Sequence, residues 1–381
     1  MKPTVKIASL LMAVLMLFSV CASGCSLDKE WSYKTSDEEL AIGVYLVAMQ
    51  EAYAEAQSYA ASVDGYDASS DKWLELEITD GDGNKQVAKE WIKDAAERKC
   101  LELLVIRPEL ERLGATVDEA SIETAAKNYE TQWYTQDKST LEKLGVSLDS
   151  YKYYKSTYAT LRDQLFDKLY GAGGTQEATT DEILGYLADN YARYAAVPVS
   201  LYESTTDEAG SSKNVALSDE KIKAITDAMD GFVKQVNAEK DTAKAAELSN
   251  KLLSEYLPTV DMTAEQMQNV TLPKKNAGIT DKDLAKALEE LEEGKAVTVK
   301  IGEENQQSYF YLFRYNTASL KENYQNDGVT DKQILTKMKS KDYIAYLKAL
   351  YDKIGYQKSG AVDKYQPDIF FVKSEQSSAA S

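Results

Sequence analysis

Histidine is absent from all 381 residues. That absence removes Ser-His-Asp and Cys-His nucleophile pairs, imidazole general bases and histidine-held metals together, so any catalysis would fall to carboxylates, lysine or tyrosine. Basic residues are also short, 44 against 62 acidic ones, for a net charge of −18. A surface of that sign repels nucleic acid and anionic lipid heads, so no nucleic-acid partner is expected. Long apolar runs are missing except for one, Ile7 to Val20, and nothing after it is long enough to cross a bilayer.

That one run has the order of a secretory leader: Lys2 and Lys6, then the apolar stretch, then Ala22-Ser23-Gly24-Cys25. It is too short for a stable membrane anchor. Small residues leading directly into a cysteine resemble a bacterial lipobox, in which the cysteine is lipidated on sulfur and becomes the first mature residue. The expected leader is residues 1-24, and Cys25 is the expected lipidation site. Removing residues 1 to 24 takes away Lys2 and Lys6 and no acid, so the charge of −18 becomes −20. Of the three cysteines, Cys21 leaves with the leader and Cys25 is modified, so Cys100 is the single remaining thiol and no intramolecular disulfide can form. The body must then be held by its core, and 44% hydrophobic residues suffices for two domains.

Helical periodicity dominates the first half. Ser36-Asp-Glu-Glu39 reads as a capping box opening a helix with Leu40, Val44 and Val47 on one face. A short apolar alternation (Leu74, Leu76, Ile78) meets Asp80-Gly-Asp-Gly83, and a long helix follows with Trp91, Ile92, Ala95, Ala96, Leu103 and Leu104. Pro108 should kink or restart that helix, and Gly114 should stop it. Thr116-x-x-Glu119 and Ser139-x-x-Glu142 read as two further helix starts. Ser147 caps a helix with the seam Tyr151, Tyr154, Tyr158, Leu161, Leu165 and Leu169, closed by Gly171-Ala-Gly-Gly174. Thr179-x-x-Glu182 opens one more, to about Tyr191.

The texture then changes. Val197 to Tyr202 reads as extended, and Asp207 to Lys213 as a polar loop. Ser218 caps a helix with Ile222, Ile225, Met229, Phe232 and Val236 on one face, and a second helix carries Leu248, Leu252 and Tyr256. Thr280-Asp-Lys-Asp283 begins a helix with Leu284, Leu288 and Leu291, which Gly294 ends. Val297, Val299 and Ile301 alternate as a strand, Gly302 to Asn305 form a turn, and Tyr309 to Tyr315 alternate as its partner. Phe310 and Leu312 make that partner apolar on both faces, which places it centrally in a small sheet. A last helix runs from Thr330 to about Ile354 with Ile344, Leu347 and Tyr351 on its buried face, followed by extended residues to Val372 and a small polar tail.

Three stretches carry a family likeness. Gly145-Val-Ser147 before the tyrosine-rich helix, Thr179-Thr-Asp-Glu-Ile183 through Asn190-Tyr191, and Leu291-Glu-Glu-Gly294 before a strand-turn-strand resemble the SurA/PrsA-type extracytoplasmic foldases, loosely over residues 25 to 355. The resemblance implies a mainly α fold with a small α+β domain: a SurA-N-like helical chaperone domain plus a parvulin-like unit. The implied organisation is 25-194 for the helical domain, 195-316 for the parvulin-like domain, 317-372 for a closing helix and extended segment packing back on the first domain, and 373-381 for a disordered tail. It implies a chaperone, anchored outside the cytoplasm to the bacterial cell membrane through lipid on Cys25, whose partners are unfolded or newly exported polypeptides.

The departures bear on activity. Parvulin-type isomerases usually carry histidine in the first strand and in the final one, where Gly-Tyr-His is common, and a cysteine or aspartate in the pocket. Here the strand stretches read Val197-Pro-Val and Ser308-Tyr-Phe310, and no pocket cysteine or aspartate can be placed. A twisted prolyl amide needs positioned polar groups. The domain is therefore expected to lack isomerase activity, with no catalytic residue, cofactor or metal assigned; any catalysis it retained would be peptidyl-prolyl cis-trans isomerisation. The alternative is a solute-binding or assembly lipoprotein of the cell envelope.

Other constellations read more plainly. Asp80-Gly-Asp82-Gly-Asn84 starts like a calcium loop, but Lys85 and Trp91 stand at its glycine and bidentate-glutamate positions, so a turn is preferred over a metal site. Cys100 lies on an apolar helix face and reads as a small core residue. Glu289, Glu290, Glu292 and Glu293 read as a solvated helix face. Of the 26 tyrosines, those on helix seams read as core, and a surplus could line a cleft for unfolded chains.

Overall fold

A computed structural model describes residues 28–206, 212–263, 267–275, 277–303 and 306–370. The expected leader (residues 1-24), Cys25 and the expected tail 373-381 lie outside the described residues. The chain divides into two compact units, residues 1–177 with 341–381, and residues 178–340. It is mainly helical, with small antiparallel sheets.

The first unit is built round one helix. Strands β1 (Trp31–Lys34) and β2 (Glu39–Ala41) lead into α1 (Ile42–Ala60), in which Val44, Tyr45, Leu46, Val47, Ala48 and Met49 are all buried. A helix apolar all round must sit in the middle of a core. Ala52, Ala56 and Ala60, one turn apart and fully buried, give it a smooth face. After the hairpin β3 (Glu77–Thr79) and β4 (Lys85–Val87) comes α2 (Ala88–Arg112), whose Ile92, Ala95, Ala96, Cys100 and Leu103 join the same cluster as α1. Then follow α3 (Glu119–Gln132), the single turn α4 (Lys138–Leu141) and α5 (Leu148–Tyr170). Ser147 caps α5 by accepting the Ser150 N–H at 3.1 Å, and Tyr151, Tyr154, Leu161, Leu165 and Leu169 are buried along its seam.

The second unit is an antiparallel sheet with helices on both faces. The helix α6 (Thr180–Asn190), with its Thr179/Glu182 capping box, runs directly into β5 (Tyr191–Ser200). The hairpin β6 (Tyr202–Thr206) and β7 (Ser212–Ala216) follows, then α7 (Asp219–Ala238), α8 (Thr242–Tyr256), β8 (Gln268–Pro273), α9 (Lys282–Glu290), β9 (Ala296–Ile301), β10 (Ser308–Arg314) and α10 (Thr317–Asn323). The four long strands pair in the order β8-β5-β10-β9, so β10 is central, as its two apolar faces require. Arg193 on β5 is buried; it donates to both carboxylate oxygens of Asp327, at 2.8 and 3.2 Å, and to Ser319 Oγ at 3.2 Å. The closing helix α11 (Asp331–Tyr351) opens with Thr330 and Gln333 capping each other. Ile334 belongs to the second unit, where it packs with Leu187, Leu320 and Tyr324. From Lys341 onward the helix belongs to the first unit: Tyr343 Oη donates to the Arg162 carbonyl at 2.7 Å, and Tyr346 Oη bonds Glu109. The short β11 (Gln357–Lys358) then pairs with β1.

Several local expectations are corrected. Ser36 to Glu39 do not start a helix, because Thr35 Oγ1 accepts the Asp37 and Glu38 N–H groups and makes a turn between β1 and β2. At the start of α3, Asp118 outcompetes Thr116: its carboxylate accepts the Ser121 N–H at 3.0 Å. Ser139 caps nothing, since helical backbone continues through Trp133–Asp137 into α4. Pro108 does not restart a helix; α2 continues to Arg112. Leu74 lies in a short 3-10 turn, Asp71–Glu75. Ser212 and Lys213 are strand rather than loop, and 207–211 lie outside the described residues. On α11 the buried face is Tyr343 and Leu347, with Ile344 42% exposed. Residues 362–364 and 367–370 are 3-10 turns rather than extended chain.

Candidate functional site

The two faces of the second unit's sheet are covered unequally. On one, α7 and α8 bury Ala195, Val197, Val199, Tyr311 and Phe313 completely or nearly so. Tyr311 Oη reaches Ser249 Oγ on α8 at 2.9 Å. Burial pushes that phenol up to about 12. On the other face the covering helix among the described residues is α9, of 9 residues, with Ile279 ahead of it, against a strand β5 of 10. Nine helical residues span about 14 Å, while ten strand residues span about 33 Å. The helix therefore covers only part of the strand.

The covered part is a packed core. Ala192, Tyr194 and Leu312 are buried beneath Leu288 and Leu291, and Tyr194 Oη donates to the Leu288 carbonyl at 2.9 Å. Desolvation raises the Tyr194 phenol above its ordinary value. A small cavity of about 140 Å³ remains at this end, lined by Tyr194, Leu272, Ile279 and Leu288.

Packed against this cluster, the same face carries Ala196, Val299 and Phe310, with Pro198 beside Phe310 on the neighbouring strand, all half-buried. Register makes them one strip: Phe310 stands opposite Pro198 on β5 and opposite Val299 on β9, and Leu312 stands opposite Ala196. Ser308 and Ser200, also paired, end it. Pro198 and Phe310 belong to the two stretches where the parvulin resemblance leads one to look for histidines, and they face each other across the central strand pair. Both are apolar. The arrangement offers contact area to an extended apolar segment, and neither side chain can donate to or accept from an amide.

The other residues singled out from sequence separate clearly. The Asp80 carboxylate accepts the Asp82 and Asn84 N–H groups at 3.0 and 2.8 Å and the Trp91 indole at 3.4 Å, so it closes the β3–β4 turn. Among the described residues, no group of three or more His, Cys, Asp or Glu side chains is placed to hold a metal ion. The Cys100 thiol is fully buried and held well above its usual range by desolvation. Glu289, Glu290 and Glu292 are exposed; Glu293 instead accepts from Thr317 Oγ1 at 2.7 Å and pairs with Arg314 at 3.8 Å. The seam tyrosines of α5 are core with their hydroxyls engaged, Tyr154 on Glu51 at 2.8 Å and Tyr158 on Glu102 at 2.7 Å. Their rings stack, with centroids 5.3 Å apart, and form one wall of a 310 Å³ groove that Tyr129, Lys155 and Arg162 also line. Sequence pointed to Phe310 but not to its neighbours Ala196 and Val299 as one strip, because cross-strand register is not written in any local motif.

No protein family matches the chain, and no curated protein does either. Among solved structures it is similar to the foldase protein PrsA from Lactococcus lactis, at 13% identity and a TM-score of 0.31, over 90% of this chain and 98% of that one. It is also similar to the foldase protein PrsA from Streptococcus pneumoniae, at 14% identity and a TM-score of 0.33, over 78% of this chain and 100% of that one. No helix among the described residues is long and apolar enough to cross a membrane.

Proposed function

We propose that this protein is a chaperone of the extracytoplasmic face of a bacterial membrane, anchored by lipid on Cys25, that holds unfolded exported polypeptides on the open strip of its sheet and does not isomerise them. The observation that carries the reading is the strip itself. Ala196, Pro198, Val299 and Phe310 form an apolar strip across paired strands that is only half-buried. Non-directional apolar contact is enough to hold segments of varied sequence, and it needs no catalytic group. The lipobox-like Ala22-Ser23-Gly24-Cys25 supports the anchor. The alternative of a solute-binding lipoprotein calls for repeated strand-helix alternation around parallel sheets, whereas every strand pairing among the described residues is antiparallel.

Two assays test the reading. The mature chain without its lipid should suppress light scattering by an unfolding secreted protein at near-equimolar ratio; no suppression would reject the chaperone. It should leave the isomerisation of a prolyl peptide, followed by coupled proteolysis, at the uncatalysed rate. That rate is slow, with times of tens to hundreds of seconds, so even weak catalysis would register and would overturn the non-enzymatic part. Cell fractionation tests the anchor: the wild-type chain should sediment with membranes, and Cys25→Ser should not yield the mature lipid-bearing form.

A further inference from the structure

The described residues begin at Asp28, three positions after Cys25. Asp28 adopts a left-handed backbone, φ 69°, and turns its carboxylate onto the start of α5: Oδ2 accepts the Ser147 N–H at 3.0 Å and the Ser147 hydroxyl at 2.6 Å. Its Oδ1 is buried against the start of α1 and has no hydrogen-bond partner among the described residues. It fits there only because residue 43 is glycine, where a Cβ would come within 2.2 Å of that oxygen. A carboxylate between two helix starts lies in a favourable field. The following residues are fixed as well. The Glu30 carbonyl accepts the Ile42 N–H at 2.8 Å, its carboxylate bonds Lys364 at 2.7 Å, and Trp31 pairs with Ala41 in β1–β2.

We infer that this docking holds the start of α5 and the ring of Trp31 against the lipid headgroups; the inference rests on the reading of Cys25 as the lipidated residue. Only Ser26 and Leu27 separate Cys25 from Asp28. However they are arranged, three residue steps reach at most about 11 Å. Each headgroup layer is itself about 5–8 Å deep. The tether can therefore lift Asp28 no more than about 3–6 Å beyond that layer. Trp31, three residues further on, is half-buried with Lys34 Nζ 4.2 Å from its ring centroid, a pairing of amphipathic ring and cation suited to a headgroup layer. A body of net charge near −20 would otherwise stand off from anionic lipid, and the short tether overrides that preference.

The fluorescence of Trp31 reports on this directly. The other three tryptophans, Trp73, Trp91 and Trp133, are at most 5% exposed. The chain from Cys25 to Ser381 is coupled through the Cys25 thiol to a maleimide lipid in phosphatidylcholine vesicles carrying a headgroup-level nitroxide; the buried Cys100 does not compete. Emission should be quenched, and a twelve-residue Gly-Ser insertion between Leu27 and Asp28, with a mean reach of about 20 Å, should reduce the quenching at least twofold while both proteins stay vesicle-bound. Asp28→Ala should reduce it in the same direction. Equal quenching in all three, or none in the chain without the insertion, overturns the inference. Chemical coupling keeps this result separate from cell fractionation, which decides whether Cys25 is lipidated at all.

Discussion

The sheet of the second unit is apolar on both faces, but only one face is closed. Against Val197, Tyr311 and Phe313 lie helices of 20 and 15 residues, α7 and α8; on the face of Ala196, Pro198 and Phe310 the covering helix among the described residues is α9, of 9. Alternation along β10 thus puts two phenylalanines three residues apart into different circumstances: Phe313 is fully buried and Phe310 only half-buried. The difference does not lie in the strand sequence, which is aromatic or aliphatic on both sides. It lies in how far the covering helices reach. An apolar surface left open at the middle of a rigid sheet is expensive in water, and it is the surface best placed to take up an unfolded chain.

The largest effect that sharpens the contrast is on stability. Phe313→Ala should lower the unfolding free energy by about 3–5 kcal/mol, the cost of a large cavity in a closed core, whereas Phe310→Ala should cost no more than about 1.5 kcal/mol, because its ring is already partly hydrated. Denaturant titration of the mature chain decides it, and equal costs would mean that both faces are closed. A smaller effect appears in alkali. The Tyr311 phenol is pushed up to about 12 by burial, against about 10 in an unfolded chain. A raised folded-state value makes its contribution complete below about pH 10 and progressively lost as the pH rises towards 12. Tyr311→Phe should therefore show a shallower fall in stability than the wild type over that window; identical slopes would show that the closed face admits water. The smallest effect on stability should come with the largest on function. Phe310→Glu should leave the thermal midpoint within a few degrees of the wild type, yet should abolish suppression of client aggregation.

Much of this arrangement was legible beforehand, and what was missed follows a pattern. The central place of β10 could be read from Phe310 and Leu312 standing between Tyr309, Tyr311 and Phe313, because a strand apolar on both faces must be covered on both. The caps at Ser147, Thr179 and Ser218 were legible because the polar residue, the helix and the apolar seam all agreed. Ser36 and Ser139 carry similar local spellings and failed, since Thr35 and the continuing helix before Ser139 already held the backbone groups they would have bonded. β8 was missed: as an edge strand, Gln268–Pro273 needs few apolar residues to hold its place. The open strip was half legible. Phe310 and Pro198 both stand out in the sequence, but their standing opposite each other is a matter of register between strands far apart in sequence.

The central claim, that the open strip is where unfolded chains bind, is tested most directly by contact. A photo-crosslinking phenylalanine analogue is placed at Phe310, and separately at Val215 and Ile344, which are 40% and 42% exposed and serve as apolar controls at least as accessible that are not part of the strip. Irradiation with an unfolded, reduced client should give crosslinked product from position 310 at several times the yield of either control. Equal yields from all three positions, or none from 310, would contradict the account.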